Sequence, residues 1–80
     1  MEHKIEFYML FNQLSNGAWQ PIEFRFDYLG VYLFSEKHCE HMKTDCHYAI
    51  CRFSVENAKD MPKLECTCES EYTLCYVDED

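Results

Sequence analysis

Six cysteines, at positions 39, 46, 51, 66, 68 and 75 of an 80-residue chain, are the residues best equipped for chemistry. Their even number in so short a domain is compatible with three disulfides, but MEHKIEFY carries no basic, then apolar, leader and reads as an unsecreted start, where thiols stay reduced. Zinc is a second reading, with Cys66, Cys68 and Cys75 on one sheet face and Cys46, Cys51 or His47 as a fourth ligand. Tetrahedral thiolate coordination at about 2.3 Å is commonly built on a Cys-x2-Cys knuckle, which this chain lacks. Cys66-Thr67-Cys68 in a strand places its sulfurs roughly 6–7 Å apart, so a bend is needed before they can share an ion. In the third reading most of the six are small apolar residues on core faces. A catalytic thiol needs a neighbouring base, and the side chains of His38-Cys39 and Cys46-His47 diverge on a helix.

Other constellations are weaker. His38, His41 and Asp45 share a helix face at a spacing common on solvated surfaces. The carboxylates near the C-terminus have no apolar pocket to raise a pKa for acid–base work. Gly17 and Gly30 are the only glycines, so no phosphate-cradling loop exists. The expectation is a protein that is not an enzyme.

Charge gives a direction. The net charge is −8, and residues 65–80 hold Glu65, Glu69, Glu71, Asp78, Glu79 and Asp80 without a Lys or Arg. Such a field repels phosphate backbones and attracts cationic protein, which disfavours direct nucleic-acid binding and favours a basic protein or ribonucleoprotein surface as partner. Tyr72 and Tyr76, alternating with the inward positions of the same segment, add contact area to that set. No apolar run reaches the length of a membrane span.

The elements that must position these residues start from Ile22–Tyr28, in which apolar and charged side chains alternate as in a half-buried strand. Asn16-Gly17 predicts a two-residue hairpin turn, with Phe11 opposite Ile22, Met9 opposite Phe24, Phe7 opposite Phe26 and Ile5 opposite Tyr28. Ile5, Phe7, Met9 and Phe11 are then the core face. The other face gathers Tyr8, Leu10, Leu14 and Trp19, a second candidate contact patch unless a later segment covers it. Pro21 opposite Asn12 suits an edge strand, and an edge can pair with a second copy of the chain to form a homodimer. A bend is expected at Gly30, more strand at Val31–Phe34, and a helix capped by Ser35 that ends between Cys46 and Cys51. Ala49, Cys51, Phe53 and Val55 read as a third strand. Asn57–Lys63 reads as a loop, and a second hairpin turning at Ser70-Glu71 would align Cys66 with Cys75. The architecture expected is α+β: a single domain over residues 1–77 with a frayed acidic tail at 78–80, built as a ββα unit followed by two or three short strands, its antiparallel sheet of four to five strands carrying one helix on one face.

In size, acidity and layout, with a hairpin, a Phe34-Ser35-x-x-x-Cys39 helix and cysteine-bearing strands, the chain resembles the small proteins encoded by phages and mobile elements, among them anti-CRISPR proteins and other host-takeover inhibitors. The resemblance implies a non-enzymatic inhibitor, acting in the host cytoplasm, that occupies a basic nucleic-acid-binding surface of a host complex. The alternative reading is a small zinc-stabilised structural or regulatory module using Cys66, Cys68 and Cys75 with Cys46 or Cys51.

Overall fold

The computed structural model describes residues 3–57 and 62–78. Four strands and one helix follow in the order β1 (His3–Gln13), β2 (Trp19–Arg25), α1 (Tyr28–Met42), β3 (Cys46–Asn57) and β4 (Pro62–Leu74). All pairings are antiparallel and the strand order is β2-β1-β3-β4, so the expected α+β class and the edge position of the Pro21 strand are both observed.

The hairpin register is as expected over Tyr8↔Arg25, Met9↔Phe24 and Leu10↔Glu23, and then shifts by one residue. Pro21 faces Phe11 rather than Asn12, with Ile22 as the extra residue of a bulge. The cause lies in the turn. Gly17 N–H donates to the Leu14 carbonyl (2.9 Å) and Leu14 N–H to the Ala18 carbonyl (2.7 Å), which makes a wider loop than a two-residue turn. Only Gly17 adopts a positive φ there (90°), and the Asn16 side chain accepts from Ala18 N–H at 2.9 Å.

Helix α1 begins at Tyr28, so the strand extension and Gly30 bend expected over residues 28–34 are helix, and it ends at Met42 rather than between Cys46 and Cys51. Its N-cap is Asp27, whose carboxylate accepts from Gly30 N–H at 2.9 Å. Ser35 is no cap: it lies mid-helix, fully buried, and its hydroxyl donates to the Tyr32 carbonyl. Lys43 closes the helix in the left-handed region (φ 56°), its N–H donating to the Cys39 carbonyl.

Helix α1 presents Val31, Ser35 and Cys39, one per turn, to the face of the sheet formed by Leu10, Cys46, Tyr48 and Ile50. Beyond the reach of the helix, the same face carries Glu6, Arg52, Ser54 and Glu56 of β1 and β3, and is polar. The row of Ile5, Phe7, Met9 and Phe11, expected to be the core, is therefore on the opposite face, which no described element covers. Phe7 stacks on Phe53 at 5.4 Å and meets Phe24 edge-on at 6.0 Å, while Phe26 is 71% exposed. Residues 62–74 are one strand rather than a hairpin at Ser70-Glu71, and Cys66 pairs with Phe53. A bulge opposite Ile50 and Cys51 accounts for the change of alternation that suggested a turn. The central part of the expected 57–63 loop lies outside the described residues.

Candidate functional site

The bulge in β4 scatters the carboxylates that the sequence placed together. Glu65 is exposed opposite Ser54 on the helix side of the sheet, whereas Glu71 lies opposite Ala49, on the uncovered face. Glu69 is ion-paired with Arg52 at 3.1 Å, so it is partly neutralised by the chain itself. Asp78 is exposed, and Glu79 and Asp80 lie outside the described residues.

Tyr72 does not face outward with these acids. Its ring packs between Tyr32 and Tyr48, and its hydroxyl donates to Ser35 Oγ at 2.7 Å. Burial pushes its pKa up to about 12. Beside it His38 Nδ1 lies 2.7 Å from the fully buried Tyr48 hydroxyl. Burial, and then the neighbouring His41, lower the His38 pKa, while burial raises that of Tyr48. These polar pairs pin α1 to the sheet in one orientation, because breaking either leaves a polar group without its partner in the core.

Tyr76 and Asp78 have a different setting. After β4 the chain turns along α1, held by Tyr76 N–H donating to Asp45 Oδ1 at 2.8 Å. The cleft between this segment and α1 measures ≈ 620 Å³ and is lined by Tyr32, Glu36, Glu40, Tyr76 and Asp78 among others, none of them Lys, Arg or His. Glu36 and Glu40, one turn apart on α1, are not among the acids singled out from the sequence, although an i, i+4 pair of like charge, which helices otherwise avoid, was visible there under either helix start.

The second contact patch is divided by the sheet. Leu10 is fully buried and Tyr8 half-buried against α1, Leu14 sits in the hairpin loop, and Trp19 is on the uncovered face beside Phe11, Ala49 and Cys51. Leu10 and Tyr8 were thus covered by a later segment, as the sequence allowed, but Trp19 was placed on the wrong side by the one-residue register shift.

All six cysteines are free. Cys39 of α1 and Cys46 of β3 are buried between the helix and the sheet, in agreement with the core reading, and burial, followed by the Cys46 thiol, raises the Cys39 pKa. Cys66 and Cys75, inward in the core reading, are exposed, as is Cys68. Cys51 and Cys68 are cross-strand partners on the uncovered face, and burial, then Cys68 and Cys66, push the Cys51 thiol up to about 12. Cys46 lies on the opposite side of the sheet from these three, which separates the zinc ligands proposed from sequence. Among the described residues no three His, Cys, Asp or Glu side chains converge in a way that could hold a metal ion. No described helix is long and apolar enough to cross a membrane. The chain matches no protein-family model, no curated protein and no solved structure.

Proposed function

We propose that this chain is a non-enzymatic protein-binding inhibitor that docks its acidic helix side on a basic, nucleic-acid-binding surface of a partner protein or complex, in the manner of the anti-CRISPR-like proteins it resembles. The observation that carries the reading is the cleft in which Glu36, Glu40 and Asp78 converge with Tyr32 and Tyr76 and no cation lines the wall. Carboxylates flanked by tyrosines suit Arg or Lys side chains, through charge-assisted hydrogen bonds and contact of the cation with an aromatic face. Support against catalysis comes from the displaced acidities: Tyr48, Tyr72, Cys39 and Cys51 are all moved away from ionisation, the opposite of what activates a nucleophile.

An oligo-arginine peptide serves as the probe of the cleft. Its binding weakens steeply between about 50 and about 500 mM salt, where the screening length falls severalfold. Glu36→Lys with Glu40→Lys abolishes it, whereas Glu6→Lys with Glu56→Lys, an identical change of net charge on the polar end of the sheet, leaves most of it. Equal loss in both pairs, or binding indifferent to salt, refutes a localised acidic site.

A further inference from the structure

We propose that the uncovered sheet face is the interface of a homodimer in which two copies stack their sheets face to face about a two-fold axis parallel to the strands. A sheet face this apolar must be buried against another layer, and within one chain nothing among the described residues does so. The single chain is correspondingly open. Its radius of gyration is 15.2 Å, against about 11.6 Å for a compact domain of this length. Its accessible surface is 6114 Å², about 1,000 Å² above the roughly 5,100 Å² of a monomeric protein of its mass. A standard interface removes about 800 Å² from each partner, so the excess matches one side of a stable dimer.

Two features of the face select a second copy over a foreign protein. First, the two central rows carry no ionisable group other than thiols, and the carboxylates point to the helix side or lie at the margin, as Glu71 does. A chain of net charge −8 can therefore meet itself across those two rows without setting carboxylates face to face. Second, side-chain size falls across the sheet. One row reads Phe24, Met9, Cys51, Cys68 from β2 to β4, and the next ends in Phe53 and Cys66. Rotation about an axis along the strands lays β2 of one copy over β4 of the other, large against small. Phe24 of each copy then faces the hollow of ≈ 290 Å³ whose floor of Ala49, Cys51 and Cys68 is bordered by Phe11, Trp19 and Glu71 of its mate. Sheets so stacked sit about 10 Å apart, with the side chains of both inner faces interdigitated. The arrangement differs from edge-strand pairing, which would leave both Phe faces wet. It leaves both acidic clefts outward, so a dimer could engage a repeated basic surface twice.

The experiment is sedimentation of the full chain in reducing buffer from about 1 to about 100 μM, with thiol alkylation of the same samples. The expected species has twice the 9.7 kDa chain mass and is retained or tightened at high salt, which screens the like charges of the two chains. Cys66 and Cys68, exposed in the single chain, are protected from alkylation while exposed Cys75 reacts, and dilution to monomer releases them. Phe24→Lys, at a site 55% exposed in the single chain, weakens association on the order of a hundredfold or more although it lowers the net negative charge. Cys68→Phe, which fills the hollow, does so without adding charge. A monomer at about 100 μM overturns the proposal. A dimer in which Cys66 and Cys68 react as fast as Cys75 overturns it too, in favour of edge pairing. Oligo-arginine binding, read on the same samples, separates this outcome from the fate of the cleft: its persistence in monomeric Phe24→Lys retains the acidic site, and its loss from dimeric wild type removes the site alone.

Discussion

Leu10 and Ile5 lie on the same strand and point to opposite faces, so their truncation tests directly which face is the core. Leu10 is fully buried under α1, whereas Ile5 is 55% exposed. Both substitutions to alanine remove three carbons. For Leu10→Ala the lost transfer free energy is about 2.4 kcal/mol, and the cavity left between α1 and the sheet brings the cost to about 3–4 kcal/mol. Ile5→Ala loses only the buried half of its transfer free energy, about 1 kcal/mol. Domains of this length are stable by roughly 4–12 kcal/mol, so the first change consumes a large share of the total. The assay is urea unfolding followed by far-UV circular dichroism, performed in the Phe24→Lys background so that the single chain is measured. With a slope of about 1–1.5 kcal/mol per molar urea, Leu10→Ala lowers the midpoint by roughly 2–4 M and Ile5→Ala by about 1 M or less. Equal shifts, or a larger shift for Ile5→Ala, refute the assignment of the core and with it the uncovered face.

Three further outcomes follow from the geometry. A β-carbon added at Gly30 would lie 2.9 Å from Asp27 Oδ1, so Gly30→Ala displaces the helix cap and its effect depends on that cap. Alone it is neutral within about 0.5 kcal/mol, and in Asp27→Ala, itself costing about 1 kcal/mol, it stabilises by up to about 1 kcal/mol; additivity in thermal unfolding would contradict the coupling. His38, facing Tyr48 of β3 and beside His41 on α1, has a folded pKa below 6.5. Between its folded value and 6.5 the unfolded chain binds more protons, so the contribution to stability is complete above 6.5 and is lost as pH falls through that window; His38→Gln flattens this limb of a Tm–pH curve, and an unchanged slope assigns it elsewhere. Cys51, whose thiol is pushed up to about 12 by burial, is held in its unreactive protonated form, so in the monomer it alkylates more than about tenfold more slowly than exposed Cys75. Comparable rates by mass spectrometry would show that Cys51 is not shielded.

Sequence alone was sufficient for the strand periods and for the place of the first hairpin. Alternation gave the strands through Phe7 and Phe53, the Asn16-Gly17 pair gave the hairpin, and the central register Met9↔Phe24 followed from matching two apolar rows. These are local because a strand's period and a turn's backbone demand act over a few residues. Other features of the fold depend on non-local choices. Tyr28–Phe34 is apolar enough for strand or helix, and only packing of Val31 and Ser35 on Leu10 and Tyr48 decides for helix. Single extra residues at Ile22 and in β4 reversed the facing of Trp19 and of the C-terminal acids, since a slip of one residue exchanges the two faces of a strand.

The choice of covered face had the widest consequences. β2 and β3 both run antiparallel to β1 and lie on either side of it, so β2-α1-β3 is a crossover between parallel strands. Connections of that kind are right-handed because the chain twists that way, so chirality selects the face under the helix regardless of which row is more apolar. The amino-acid pattern thus determined that Ile5, Phe7, Met9 and Phe11 share one side and that the acids gather late in the chain. Tertiary structure decided that the aromatic row stays open, that Glu36 and Glu40 meet Tyr76 and Asp78, and that the thiols divide between core and surface, because each of these depends on segments distant in sequence being brought together by the crossover.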